Sequence, residues 1–168
     1  MKVVASPLPP FQAFLDEHAS GVRAFLRGMV GPDDAEDCLQ ETFLAALRAY
    51  PRAQPGNLRA WILTIARRKA VDHHRDRARQ PTPVAEPHSP DTAHGAGLGM
   101  GSRDSAIWAA VAELPPAQRA AVVLRFAVDL RYREVGEAMG CSEDAARRSV
   151  HEGLKRLRLS AAELKEAA

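Results

Sequence analysis

The segment QPTPVAEPHSPDTAHGAGLGMGSR, residues 80–103, constrains the fold more than any other part of the chain. Four prolines (Pro81, Pro83, Pro87, Pro90) are followed by four glycines at alternate positions (Gly95, Gly97, Gly99, Gly101). Proline withholds backbone donors, glycine raises the entropic cost of ordering, and little between them could pack. Such a stretch reads as a flexible linker. The chain is therefore expected to divide into residues 1–79 and residues 104–168.

Both blocks carry apolar residues at helical spacing. Phe11, Phe14, Leu15, His18, Val22, Phe25, Leu26 and Met29 step at threes and fours, and Gly31-Pro32 ends the helix they predict. Asp33 is placed to cap a second helix, with Glu36 three residues on. Its inward stripe is Ala35, Cys38, Leu39, Phe43, Ala46, Leu47 and Tyr50. After the loop PRAQPG, Asn57 can cap a third helix that turns Leu58, Trp61, Ile62, Ile65, Ala66 and Ala70 inward. In the second block Ile107, Trp108, Val111 and Leu114 predict a short helix stopped by Pro115-Pro116. Helices are expected next over residues 116–127 and 131–139. Gly140 suits the left-handed position after a helix, and Ser142 caps a last helix with Ala146, Val150, Leu154, Leu157, Ala161 and Leu164 on one face. No segment alternates with strand period. The expected fold is all-α: two small helical bundles joined by the linker. Apolar residues make up 46%, enough for a core, but aromatics are only 5%, so Ala, Leu and Val must build most of it.

Several function classes fall away. Cys38 and Cys141 form no CxxC or zinc-ligand spacing, and both read as small buried apolar residues. MKVVASPLPP lacks the apolar region of a signal peptide, and no run is long enough to span a bilayer, so a cytosolic chain without membrane insertion is expected. No cofactor is expected. Net charge is only +2, so local clusters must indicate partners.

Three clusters stand out. IARRKAVDHHRDRAR, residues 65–79, holds five arginines and the triplet Asp72-His73-His74. On a helix, adjacent histidines point about 100° apart and do not share a metal. Arg68, Arg75 and Arg79 fall on one side, flanked by Arg67 and Lys69, with Arg59 further back. Cations so arranged grip phosphates and release counterions, although a solvated face would look alike. The second cluster, RYREVGEAMGCSEDAARRSVHEGLKRLR, reads as a helix–turn–helix. Its second helix turns Glu143, Asp144, Arg147, Arg148, His151 and Lys155 outward, where arginine can pair with guanine and a carboxylate can accept from cytosine. The third, DDAEDCLQETF, gathers Asp33, Asp34, Glu36, Asp37 and Glu41 without one base. The helix dipole explains the first turn but not Asp37, Gln40 and Glu41, which suit a basic protein partner better than DNA.

DAEDCLQETFLAALRAY, LRAWILTIARRKAVDHHR and LPPAQRAAVVLRFAVDLRYREVGEAMGCSEDAARRSVHEGLKRLR, in that order, resemble the small extracytoplasmic-function sigma factors, which keep sigma regions 2 and 4. The resemblance implies a subunit that brings core RNA polymerase to promoters, helps melt the DNA, then leaves, and is not an enzyme. It implies that Asp37, Gln40 and Glu41 meet the polymerase β′ clamp helices. The polymerase β subunit is expected as a further partner. Residues 51–56 and the helix from Asn57, with Arg59, Arg67, Arg68 and Arg75, would take the unpaired −10 strand. Arg147, Arg148 and His151, with Glu143, Asp144 and Lys155 beside them, would read the −35 element. Asp72 and Arg75 match the family's Asp-x-x-Arg, and the histidines fall in its variable gap. An anti-sigma partner is expected for such a protein. The linker's 24 residues reach on the order of 80 Å, against roughly 70 Å between duplex contacts two helical turns apart.

The chain departs from the family pattern at Arg68, where Asn is usual, at Ala145-Ala146 for Thr-Val, and at Glu152 for a frequent Arg. These imply promoter preferences of its own. The alternative is a stand-alone helix–turn–helix regulator, for which Asp37, Gln40 and Glu41 would have no use.

Overall fold

The structure is a computed structural model and describes residues 8–53, 56–79 and 102–166. Among the described residues there are seven α-helices and no strand. Helices α1 (Phe11–Val30) and α2 (Pro32–Ala49) are separated by Gly31 alone, whose φ of 88° a side chain would resist. Gly31, not Asp33, holds the cap position of α2. Pro32 takes the first helical position, where its missing N–H costs nothing, and Asp33 and Asp34 fall in the first turn, where the dipole favours them.

A short 3-10 turn, Tyr50–Arg52, leads toward α3 (Leu58–Arg79). Asn57 caps α3 as expected: its Oδ1 accepts the Ala60 N–H at 3.1 Å. Helices α1, α2 and α3 pack on one another around Phe14, Phe25, Leu26 and Ile62, each fully buried. Burying each such side chain contributes about 1.5–3 kcal/mol. Four of the scarce aromatics cluster: Phe11 and Phe14 lie 5.0 and 5.1 Å from the Tyr50 ring, and Trp61 lies 5.8 Å from Phe14. The Tyr50 hydroxyl donates to the Pro9 carbonyl at 2.7 Å, tying the chain ahead of α1 to this cluster. Thr42, absent from the predicted stripe, is buried because its hydroxyl is satisfied by the Cys38 carbonyl at 2.7 Å.

The second bundle holds α4 (Ser102–Ala112), α5 (Pro116–Phe126), α6 (Tyr132–Met139) and α7 (Glu143–Glu166). Gly140 is left-handed, with φ 69° and ψ 36°, and Ser142 Oγ accepts the Ala145 N–H at 3.2 Å, as the sequence suggests. Ile107, placed inward by spacing, is 54% exposed.

The two bundles do not stand apart. Helix α3 lies against α6, and α1 lies against α4 and α5. The core residues of both form one continuous cluster. Helix α3 buries Ala60 and Leu63 beside the predicted Ile62, Ala66 and Ala70. The linker lies outside the described residues, except for Ser102 and Arg103, which open α4.

The cysteines differ, against the expectation that both are buried. Cys38 is buried, whereas Cys141 is exposed in the turn between α6 and α7. Burial first, then the carboxylates of Glu41, Asp34 and Asp37, push the Cys38 thiol up to about 11. A neutral thiol-reactive probe should label only Cys141 in the native chain and both residues in denaturant. Peptide mapping that found native labelling at Cys38 would refute this.

Candidate functional site

Helix α2 presents its inner side, Ala35, Cys38, Leu39, Thr42 and Ala46, to the core. The opposite side exposes Asp37, Gln40 and Glu41, the three residues singled out from the sequence. Glu41 Oε2 lies 3.5 Å from Lys69 Nζ on α3, a weak solvent-exposed pair. Asp37 and Gln40 form no side-chain hydrogen bond within the described residues. One turn further on, Leu44 and Leu47 are 53% and 49% exposed. Leu47 was expected inward. It instead extends the acidic face with an apolar end, a feature the helical period hid.

On α3, Arg67, Arg68, Val71, Asp72 and Arg75 line a shallow groove of about 280 Å³. Arg68 and Arg75 are exposed, with Arg75 Nη1 4.0 Å from Asp72 Oδ1. The three other predicted strand-binding residues face the second bundle. Asn57 Nδ2 donates to Glu134 Oε1 at 3.2 Å, Arg67 Nε donates to the Ala138 carbonyl at 3.3 Å, and Arg59 donates to the Val128 carbonyl. Arg119 crosses the other way, donating to the Met29 carbonyl at 3.1 Å. A cleft of about 230 Å³ between α1, α3 and the α5–α6 turn includes His18, Arg59 and Val128 in its lining. Burial first, and then the Arg59 charge, hold His18 below the usual imidazole range, against an opposing pull from Glu17.

The Asp72-His73-His74 triplet turns partly back onto the first bundle. His74 Nε2 lies 2.9 Å from the Met29 carbonyl oxygen, and His73 Nε2 lies 3.1 Å from Asp34 Oδ2. Asp34 also takes Arg77 of α3. The histidines thus help seat α3 on α1 and α2. Among the described residues no group of three His, Cys, Asp or Glu side chains could hold a metal ion.

Helix α7 buries Ala146, Val150 and Gly153 and exposes Glu143, Asp144, Arg147, Arg148, His151 and Lys155. All six predicted readers therefore lie on the open side of the helix–turn–helix. Arg147 Nη2 is 2.8 Å from Glu143 Oε1, and its guanidinium carbon is 4.6 Å from the Tyr132 ring centroid. Sequence reasoning missed Tyr132 and Glu134. Neither carries a periodic or charge-cluster signal, and each acts only through neighbours that the fold supplies.

Family descriptions match both blocks: Sigma-70 region 2 over residues 14–80 and Sigma-70, region 4 over residues 104–157. The chain is 36% identical to the ECF RNA polymerase sigma factor ShbA of Streptomyces griseus, covering 76% of this chain and 73% of that protein. It is 30% identical to the ECF RNA polymerase sigma factor SigE of Mycolicibacterium smegmatis, covering 90% of this chain but only 61% of that longer protein. The structure of the sigma factor RpoE in complex with the anti-sigma factor NepR, from Bartonella quintana, superimposes with a TM-score of 0.71 at 26% identity. That match covers 88% of this chain and 94% of the other. With region 2 and region 4 matched in this order over most of its length, and relatives of this kind up to 36% identical, the chain belongs to the extracytoplasmic-function sigma factors of the sigma-70 family.

Proposed function

We propose a division of labour by which this sigma factor directs core RNA polymerase to promoters. Residues 1–79 dock on the polymerase through Asp37, Gln40 and Glu41, with Leu44 and Leu47 as an apolar flank, and take the unpaired −10 strand along α3. Residues 104–168 read the −35 element with the outer face of α7, and residues 80–103 tether the two. The chain acts as a binding subunit in the cytoplasm and performs no catalysis itself.

The observation that carries this reading is the sorting of polar faces. The acidic face of α2, the mixed face of α7 and the arginine groove of α3 are exposed at once, each on its own helix. A regulator needing only duplex DNA would use α7 alone, so the α2 face favours the polymerase reading. Asn57, Arg59 and Arg67 supply the seam between the bundles with donors. They cannot serve that seam and a DNA strand together, so strand capture requires the bundles to part. An anti-sigma partner suits such a chain, since binding across both bundles would hold them closed, and the Bartonella quintana relative is solved with one.

Reconstitution with core polymerase, followed by sequencing of transcript 5′ ends, tests the reading. The expected result is a set of starts sharing one pair of upstream elements. A chain that fails to associate with core polymerase at any salt concentration would refute it.

A further inference from the structure

We infer that Tyr132 is a positioning residue for promoter readout, holding the Arg147 guanidinium in the orientation that reads a base pair. This rests on the proposed reading of the α7 face and names what sets its specificity. Tyr132 opens α6, is half-buried, and belongs to no surface assigned above. The Arg147 guanidinium carbon lies 4.6 Å from its ring centroid, within cation–π range. Glu143, one turn earlier on α7, takes Nη2 at 2.8 Å. The ring restrains the plane of the guanidinium and the carboxylate restrains its rotation, which together fix the direction of the remaining donors.

The ring is itself held. The Arg125 guanidinium carbon lies 5.4 Å from the same centroid. Arg125 Nη1 also donates to Asp129 Oδ1 at 3.2 Å and to the Leu130 carbonyl at 3.3 Å, fixing it to the α5–α6 turn. The chain of contacts therefore runs from α5 through Tyr132 to the exposed face of α7. Bidentate base recognition needs a guanidinium fork aimed in the plane of the base pair, and a free arginine must be ordered to reach it. Arg147 is 56% exposed, so without the ring only Glu143 and water would restrain it.

The test uses the full chain in holoenzyme and a promoter set with every base pair of the −35 element substituted in turn. Arg147→Ala first identifies the base pair whose preference depends on Arg147. Tyr132→Leu should then lower discrimination at that same base pair by about two- to fivefold, the range expected for an exposed cation–π contact. Tyr132→Phe should restore it, because the ring rather than the hydroxyl is the platform. Preferences elsewhere in the element should stay. An Arg147→Ala protein with unaltered preferences would overturn the assignment of α7 as reader, and the inference with it. If Arg147→Ala matters but Tyr132→Leu leaves discrimination intact, or weakens all promoters equally, the positioning role alone is overturned. A Tyr132→Phe protein as poor as Tyr132→Leu has the same consequence.

Discussion

Replacing Asp37 and Glu41 by lysine is expected to abolish promoter-directed transcription, by about a hundredfold or more, while leaving the fold and the duplex affinity of α7 in place. Both residues are exposed. Neither is part of the core, and the single ion pair lost, Glu41 with Lys69, is worth under about 1 kcal/mol. Against a basic docking surface each reversal replaces attraction by repulsion, and like-charge contacts in an interface cost several kcal/mol. Leu44→Ser with Leu47→Ser should add a smaller loss through removed apolar area. Co-purification with core polymerase and run-off transcription measure the effect, and circular dichroism checks folding. Undiminished transcription from the reversed protein would remove the α2 face from the account.

The second large effect concerns the seam. Gly28 of α1 faces α5 so closely that an added Cβ would lie 2.8 Å from both methyls of Val123 and 3.1 Å from the Trp108 ring. Gly28→Leu therefore wedges α1 away from α4 and α5. Overpacking of this kind costs about 1–3 kcal/mol where neighbours cannot yield. Here the cheapest relief is separation of the bundles, since each retains its own helix contacts. A compact 168-residue chain has a radius of gyration near 15 Å, and the variant should exceed that by several Å in solution scattering. Freed Asn57, Arg59 and Arg67 should raise the affinity of the isolated chain for single-stranded DNA by about tenfold, more at low salt. A variant that expands without gaining affinity would show that these donors do not gate strand capture.

Helix positions, caps and inward faces were legible because each rests on local rules. Phe14, Phe25 and Ile62 follow helical spacing, Asn57 and Ser142 follow cap chemistry, and Gly140 follows backbone sterics. The outward Asp37, Gln40 and Glu41 of α2 and the six outward residues of α7 were legible for the same reason: each set lies on one helix. What was not legible depends on a second helix arriving. Ala60 and Leu63 lie on a side of α3 that spacing did not mark as apolar, and they are buried in a helix that packs on α1, α2 and α6 at once. Asn57, Arg59 and Arg67 were grouped with Arg68 and Arg75 as strand-binding residues, yet the first three meet carbonyls and a carboxylate contributed from 69 to 77 residues away. Leu47 fits the inward stripe by number, but Ala46 and Tyr50 take the buried positions there and Leu47 falls on the outer side with Leu44.

Glu134 has two oxygens with separate duties. Oε2 accepts the Arg131 N–H at 2.9 Å and finishes the start of α6, while Oε1 receives Asn57. Asn57 is divided likewise, its Oδ1 finishing α3 and its Nδ2 reaching across. When that reach is broken, each partner keeps the half of its amide or carboxylate that terminates its own helix. The junction can thus come undone and re-form like a fastener whose two plates stay riveted to their own sides, so repeated rounds of initiation need not melt either helix end.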